Sequence, residues 1–299
     1  MRWHAREALN TKLMEIRLIS PAAHGASLTA LLLESGLSVP DDSGAAVIWT
    51  GLSLDGKLIA CAGVEIHGTN GLLRSVAVKE AFRGNGYGAA VVKAARILAR
   101  LRKLRALYLF TEDASGFFGR NGFEVMERGD LPAGIAASRQ AAHECGPIAV
   151  SMYQALPETP PHFLVLCTGN SCRSQMAHAY LNKYFAGSAE VYSAGIETHG
   201  LNPGAVSILK EDGLDITHHT SNHVDEYAHL RFDLILTVCD HAKEHCPWIP
   251  GDALRIHHNF TDPSKVTGST EEIHAAFKNT REEISDYCRN LTKALGFQP

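Results

Sequence analysis

Apolar runs of strand length alternate with stretches of helical period along these 299 residues, and the alternation occurs in both halves of the chain. In the first half, residues 62–66, 72–78 and 106–111 read as strands, and residues 89–102 read as a helix opened by the turn Arg83-Gly84-Asn85-Gly86-Tyr87-Gly88. In the second half, residues 163–166 and 233–238 read as short buried strands, while 174–181 and 282–291 carry helical spacing. Between the halves lies Leu156-Pro157-Glu158-Thr159-Pro160-Pro161, whose prolines cannot join a sheet ladder and favour an extended spacer. The pattern predicts two α/β domains, 1–155 and 162–299, joined by a linker at 156–161. The length suits two ordinary cores.

Composition narrows the function classes. A formal net charge of −4 gives no basic field for nucleic acid or anionic lipid. The one basic run, residues 96–105, has apolar residues at helical spacing and reads as a solvated helix face. No apolar stretch approaches the ~18 residues of a membrane span, and residues 1–7 are not followed by a signal-peptide core. Seven cysteines are too few for a secreted disulfide framework, which leads us to expect a cytoplasmic protein.

The chemistry concentrates in Cys167-Thr168-Gly169-Asn170-Ser171-Cys172-Arg173-Ser174. A loop between a strand and a helix aims successive N–H groups and the positive helix end at one point, where a tetrahedral oxyanion binds. The same field favours a thiolate, so Cys167 is expected to be ionised near neutral pH and nucleophilic. Arg173 adds a planar, permanently charged fork for two oxygens. Cys239 and Cys246 flank a six-residue segment directly after the 233–238 strand. Phosphoryl transfer needs one thiolate; a thiol relay needs three. Cys172 and Cys288 read as packing residues, and Ser174 as a donor to the Cys167 sulfur or a helix cap.

From about His162 onward the chain resembles the thioredoxin-coupled arsenate reductases built on the low-molecular-weight tyrosine phosphatase fold, a parallel sheet flanked by helices. The resemblance rests on residues 167–177, 192–203, Thr237-Val238-Cys239, Cys246-Pro247 and Asp262-Pro263. It implies that Cys167 attacks arsenate while Arg173 and the amides of the 168–172 loop hold the oxygens. It further implies that Asp262 protonates the departing oxygen, that Cys239 attacks Cys167, and that Cys246 attacks Cys239 to leave a disulfide for thioredoxin. Several such reductases hold potassium through Asn, Ser and two carboxylates. Here the carboxylate positions read His178 and Asn222, so no potassium site and no other metal is expected. A tyrosine phosphatase would keep Cys167, Arg173 and Asp262, but phosphatases of this fold usually carry an aromatic after Asp-Pro. Ser264 stands there instead.

In the first half, the glycine-rich turn lets backbone approach a diphosphate at a helix N-terminus. Together with the 106–111 strand and Phe117–Phe123, it resembles the Arg-x-x-Gly-x-Gly signature of the Gcn5-related acetyltransferases, in particular those of arsenic-resistance operons; the likeness spans about residues 14–153. That fold is a mixed sheet with helices. The likeness implies acetyl-CoA as cofactor, held by Arg83, Gly84, Asn85, Gly86, Tyr87 and Gly88, with the amides of Val76 and Val78 on the pantetheine arm. Phe118 stands where many members place a tyrosine acid, and Glu65 could act as a base. Cys61 and Cys145 read as packing residues.

The expected protein is bifunctional: an acetyltransferase with an unidentified acyl acceptor, followed by an arsenate reductase. The alternative is a low-molecular-weight tyrosine phosphatase fused to a degenerate, non-catalytic acetyltransferase-fold module.

Overall fold

The computed structural model describes residues 17–20, 25–39, 45–144, 146, 148–240, 242, 249 and 251–297. They form two compact units, one built mainly from Leu18–Pro160 and the other from Pro161–Lys293; Ala294–Phe297 groups with the first.

In the first unit, strands β1 (Arg17–Ile19), β2 (Val47–Leu54), β3 (Lys57–His67), β4 (Asn70–Val78), β5 (Ala106–Thr111), β6 (Glu124–Met126) and β7 (Val150–Ala155) make one mixed sheet, ordered β1-β2-β3-β4-β5-β7-β6. The β4–β5 pair is parallel, while β2–β3, β3–β4, β5–β7 and β6–β7 are antiparallel. Helix α1 (Gly25–Glu34) buries Leu31 and Leu32 against Leu58, Cys61 and Ala77. Helix α2 (Tyr87–Leu101) packs on β2, β3 and β4 through its buried alanines, valines and Leu98. Short α3 (Ser115–Arg120) sets Phe118 between Phe117 and Phe123 in an edge-to-face cluster.

Strands β4 and β5 pair only over Asn70–Leu72 with Ala106–Tyr108. Beyond that point they part, and the free edge of β4 is left to whatever else can bond it. A bulge sits on β4 at the same level: Ser75 has φ +53, and the register against β3 shifts between Cys61 and Gly63.

The second unit holds β8 (His162–Cys167), α4 (Arg173–Phe185), β9 (Glu190–Gly195), α5 (Pro203–Glu211), β10 (Leu234–Thr237), β11 (Leu254–His257) and α6 (Thr270–Ala294). Its four strands are ordered β11-β10-β8-β9 and are all parallel. Central β8 is covered on both faces, which explains its unbroken apolar run. Leu164 and Leu166 join Ala194, Val224, Phe232 and Ile235 on one face, and Phe163 meets Phe185 edge-on on the other. The chain leaves β8 toward β9 on one side and returns to β10 on the other. In an open parallel sheet such a reversal opens a crevice at the carboxyl ends of the two strands. Cys167 ends β8, and Cys239 lies two residues past β10. Topology alone therefore brings two of the expected sulfurs to one crevice. Among the described residues no helix is long and apolar enough to cross a membrane.

Candidate active site

The loop between β8 and α4 is shaped from outside. The carbonyl of Thr168 accepts from Glu197 N, that of Gly169 from His199 N, that of Ser171 from Asn202 N, and that of Cys172 from Met176 N. The Asn170 carbonyl accepts from the buried Gln175 amide at 3.1 Å. In a planar trans peptide the N–H points opposite to the C=O. The amides of Gly169 to Arg173 thus turn inward, and that of Asn170 already donates to Cys167 Sγ at 3.1 Å. Gly195 permits this bracing: a Cβ there would lie 2.6 Å from Thr168 O and 2.8 Å from Asn170 N.

Asn170 occupies the left-handed region at φ +43 and is fully buried. Its side chain accepts from Asn222 N at 2.8 Å and from Gln175 Nε2 at 3.1 Å, and donates to Ser174 Oγ at 3.0 Å. With that bond accepted, the Ser174 hydroxyl is free to donate to Cys167 Sγ, 2.9 Å away. Sequence reading missed Gln175 and Gly195, since their roles exist only once distant segments are folded together.

Burial pushes the Cys167 thiol up; the Ser174 hydrogen bond draws it down, and the nearby Cys239 raises it again. The expected thiolate is therefore not the form this environment favours. The physical reason is burial, the largest of these effects. The Arg173 guanidinium donates to Phe260 O at 3.1 Å and to Asp262 Oδ2 at 2.8 Å, so it is already paired with a carboxylate at the loop. Asp262 also accepts from the Ser264 amide at 3.2 Å and from its hydroxyl at 2.7 Å, which gives the residue after Pro263 a bonding role instead of an aromatic one.

Cys239 is buried, and its Sγ lies 3.4 Å from Thr168 Oγ1, at the rim of the loop. Cys246 lies outside the described residues, as does Cys145. Cys172 is buried with its thiol pushed up to about 12, and Cys288 is buried deep against Ala177 O, as expected of packing residues.

A cavity of about 260 Å³ is lined by His178, Asn182, Ser193, His219, Asn222 and Tyr227 among others. His178 and His219 stack with centroids 4.6 Å apart. Burial, reinforced by His219, lowers His178 to about 3, so its ring is neutral. Stacked imidazoles and amides do not suit a hard alkali cation, which prefers anionic oxygens, so these residues do not fit potassium. Among the described residues no three His, Cys, Asp or Glu side chains gather as metal ligands.

In the first unit, Gly84 and Gly86 take φ of +77 and +79, and Gly86 precedes α2 with no side-chain cap. A helix start of this kind, preceded by glycine, suits an anionic ligand. Asn85 donates to Phe82 O and Arg83 O, folding the turn on itself, while Tyr87 is buried against Phe82. Gly88 passes close to Phe117, where a Cβ would sit 3.3 Å from the ring. Lys79 N bonds Ile59 O of β3. By alternation Val78, and Val76 before it, present their amides to the open edge of β4; the Val78 carbonyl there accepts from Arg83 Nε at 3.2 Å. These residues fit the diphosphate and amide arm of a coenzyme A.

Glu65 lies within β3. It is 5% exposed, and both oxygens are engaged, by Arg74 Nη1 at 2.7 Å and His67 Nε2 at 2.8 Å. Cys61 is fully buried, its thiol pushed up to about 12.

A cysteine beneath inward-facing amides, with a paired arginine and aspartate at the rim of an α/β sheet, is an arrangement suited to thiol chemistry on an oxyanion. The family described as low molecular weight phosphotyrosine protein phosphatase matches residues 162–298, and the acetyltransferase (GNAT) domain matches residues 45–125. An arsenate reductase of Halalkalibacterium halodurans is 49% identical over 119 residues, covering 40% of this chain and 86% of the relative. That of Bacillus subtilis is 46% identical over 128 residues, covering 43% and 92%. The chain belongs to the same family as these arsenate reductases, with a GNAT domain ahead of the shared part. A solved GNAT-family acetyltransferase of Staphylococcus aureus Mu50 is 16% identical, covering 48% of this chain and 99% of its own, with a TM-score of 0.39.

Proposed function

We propose that the second unit reduces arsenate to arsenite by a three-cysteine relay that thioredoxin recycles. Cys167 displaces an oxygen of arsenate, which Asp262 protonates so that it leaves as water. Arg173 and the loop amides hold the remaining oxygens as charge shifts. Cys239 then attacks Cys167 Sγ; the S–As bond breaks, its electron pair stays on arsenic, and As(III) departs as arsenite. Cys246 attacks Cys239, frees Cys167 as a thiolate, and leaves a Cys239–Cys246 disulfide that a thioredoxin dithiol reduces. Such a relay belongs in a reducing cytoplasm.

The observation that carries this reading is the second sulfur: Cys239 Sγ lies 3.4 Å from Thr168 Oγ1, on the loop whose base is Cys167. A phosphatase has no use for it there. The test is arsenite release with reduced thioredoxin set beside aryl-phosphate hydrolysis. Multiple turnovers of arsenate support the relay, and aryl-phosphate hydrolysis alone removes it.

We further propose that the first unit binds acetyl-CoA, with Gly84, Gly86, Gly88 and the first α2 amides on the diphosphate and the Val76 and Val78 amides on the pantetheine arm. Arg83 would face the phosphates, and Asn85 and Tyr87 would hold the turn. When bound, this group supplies an activated acetyl for transfer to an acceptor. Support comes from the parting of β4 and β5 and the uncapped helix start. With Glu65 paired to Arg74, a base role for it would run through His67. Calorimetric titration with acetyl-CoA tests the reading.

A further inference from the structure

The segment that follows β11 touches both ends of the relay. At its far end, Phe260 O and Asp262 hold Arg173 of the oxyanion loop. At its near end, His257 and Asn259 hold Asp240, the residue immediately after Cys239: His257 Nε2 lies 3.1 Å from Asp240 Oδ1, and Asn259 Nδ2 donates to Asp240 Oδ2 at 2.6 Å. A carboxylate only accepts, so His257 carries a proton on Nε2; its Nδ1 lies 2.8 Å from the Oγ1 of the buried Thr237. Thr237 precedes Cys239 by two residues. The sulfur-bearing residue is thus held from both sides by one imidazole.

The backbone continues this clamp. His258 N donates to Thr237 O at 2.9 Å and Phe260 N to Val238 O at 3.4 Å, extending the β10–β11 ladder past the strand ends. Asp240 itself is exposed, its side chain at 60%. Exposed pairs of this kind add little stability, so what these two bonds supply is the placement of the residue beside Cys239.

We propose that Asp240 is a positioning residue: gripped by His257 and Asn259, it holds Cys239 where its sulfur reaches Cys167, and the 257–262 segment sets the second sulfur and Arg173 to a common frame. This rests on the arsenate reductase reading. The step served is the attack of the Cys239 thiolate on Cys167 Sγ, in which the S–S bond forms, the S–As bond breaks, and arsenic takes the two electrons.

The test uses the full chain carrying Cys246→Ser, so that the relay stops at the Cys167–Cys239 disulfide. Asp240→Asn turns one acceptor into a donor facing the Asn259 amide. Single-turnover arsenite release is expected to slow by about 10- to 100-fold, with the arsenate concentration for half-maximal rate unchanged. The exchange Asp240→Asn with Asn259→Asp restores a donor to an acceptor on each side and is expected to recover most of the rate. An Asp240→Asn protein that releases arsenite at the parent rate, or a slow one that the exchange does not rescue, overturns the proposal.

If the parent chain releases no arsenite, the reductase reading fails, and the positioning is then read without arsenic. The azo oxidant diamide takes two electrons and two protons from two neighbouring thiols. The yield rate of the Cys167–Cys239 linked peptide pair should fall with Asp240→Asn and recover with the exchange; equal rates in all three proteins overturn the proposal.

Discussion

Arg173 donates from Nη2 to Asp262 Oδ2 at 2.8 Å, so the residue placed to grip an oxyanion and the residue placed to protonate its departing oxygen neutralise each other. An incoming arsenate must compete with that carboxylate for the guanidinium. Asp262→Asn removes the competitor and the acid together. Turnover of arsenate should fall by about 100-fold or more, as loss of a general acid does, while KM falls or stays level. Steady-state kinetics separate the two effects, and a raised KM would contradict the competition.

Ser174→Ala takes away the hydroxyl that lowers the Cys167 thiol against its burial. Cys167 must lose its proton to react, so reactivity rises with pH. Without the hydroxyl that rise moves to higher pH, since the thiolate loses a hydrogen bond that stabilises it. The pH dependence of Cys167 alkylation by iodoacetamide reads the shift.

Cys246→Ser should release about one arsenite per chain and then stop, since thiol exchange has no third partner to free Cys167. Sustained thioredoxin-driven turnover in that variant would show that the order of attack is wrong.

Acetyl-CoA should bind the intact chain by calorimetry, and Gly86→Ala should weaken binding. Gly86 sits at φ +79, where an added Cβ costs about 1–2 kcal/mol. An intact chain that shows no heat of binding is not an acetyltransferase.

His178 is held neutral down to about pH 3 by burial first and His219 second, whereas an unfolded histidine takes a proton near 6.5. Its depressed value means that the stability is fully present above pH 6.5 and is lost progressively as pH falls toward 3. Each such histidine contributes a slope of at most about 1.4 kcal/mol per pH unit in that window. Urea denaturation between pH 4 and 7 should show a shallower slope for His178→Asn, and an unchanged slope would remove His178 from the account.

The elements that carry local signals were legible in the sequence. The turn at residues 83–88, the Cys167–Arg173 loop and the strand before Cys239 all follow from spacing, because a strand, a glycine turn and a helix face are written in neighbouring residues. What stayed hidden depends on partners far along the chain. From its strand alone Glu65 read as a possible base, yet Arg74 and His67 engage both its oxygens. Arg173 read as a fork open to two oxyanion oxygens, yet Asp262, 89 residues on, already occupies part of that fork. The bracing of the loop by Glu197, His199 and Asn202 is likewise a property of packing, although the motif containing those residues was visible.

That bracing bears on how the cradle meets its substrate. Carbonyls tied to outside segments leave the loop little freedom to lose, so its ordering entropy is settled when the chain folds and not when arsenate arrives. Affinity then depends on how well the oxyanion replaces Asp262 on Arg173. Substitutions at Gly195 or Asn202 should therefore act on affinity from a distance, by letting the amides relax, without touching the anion at all.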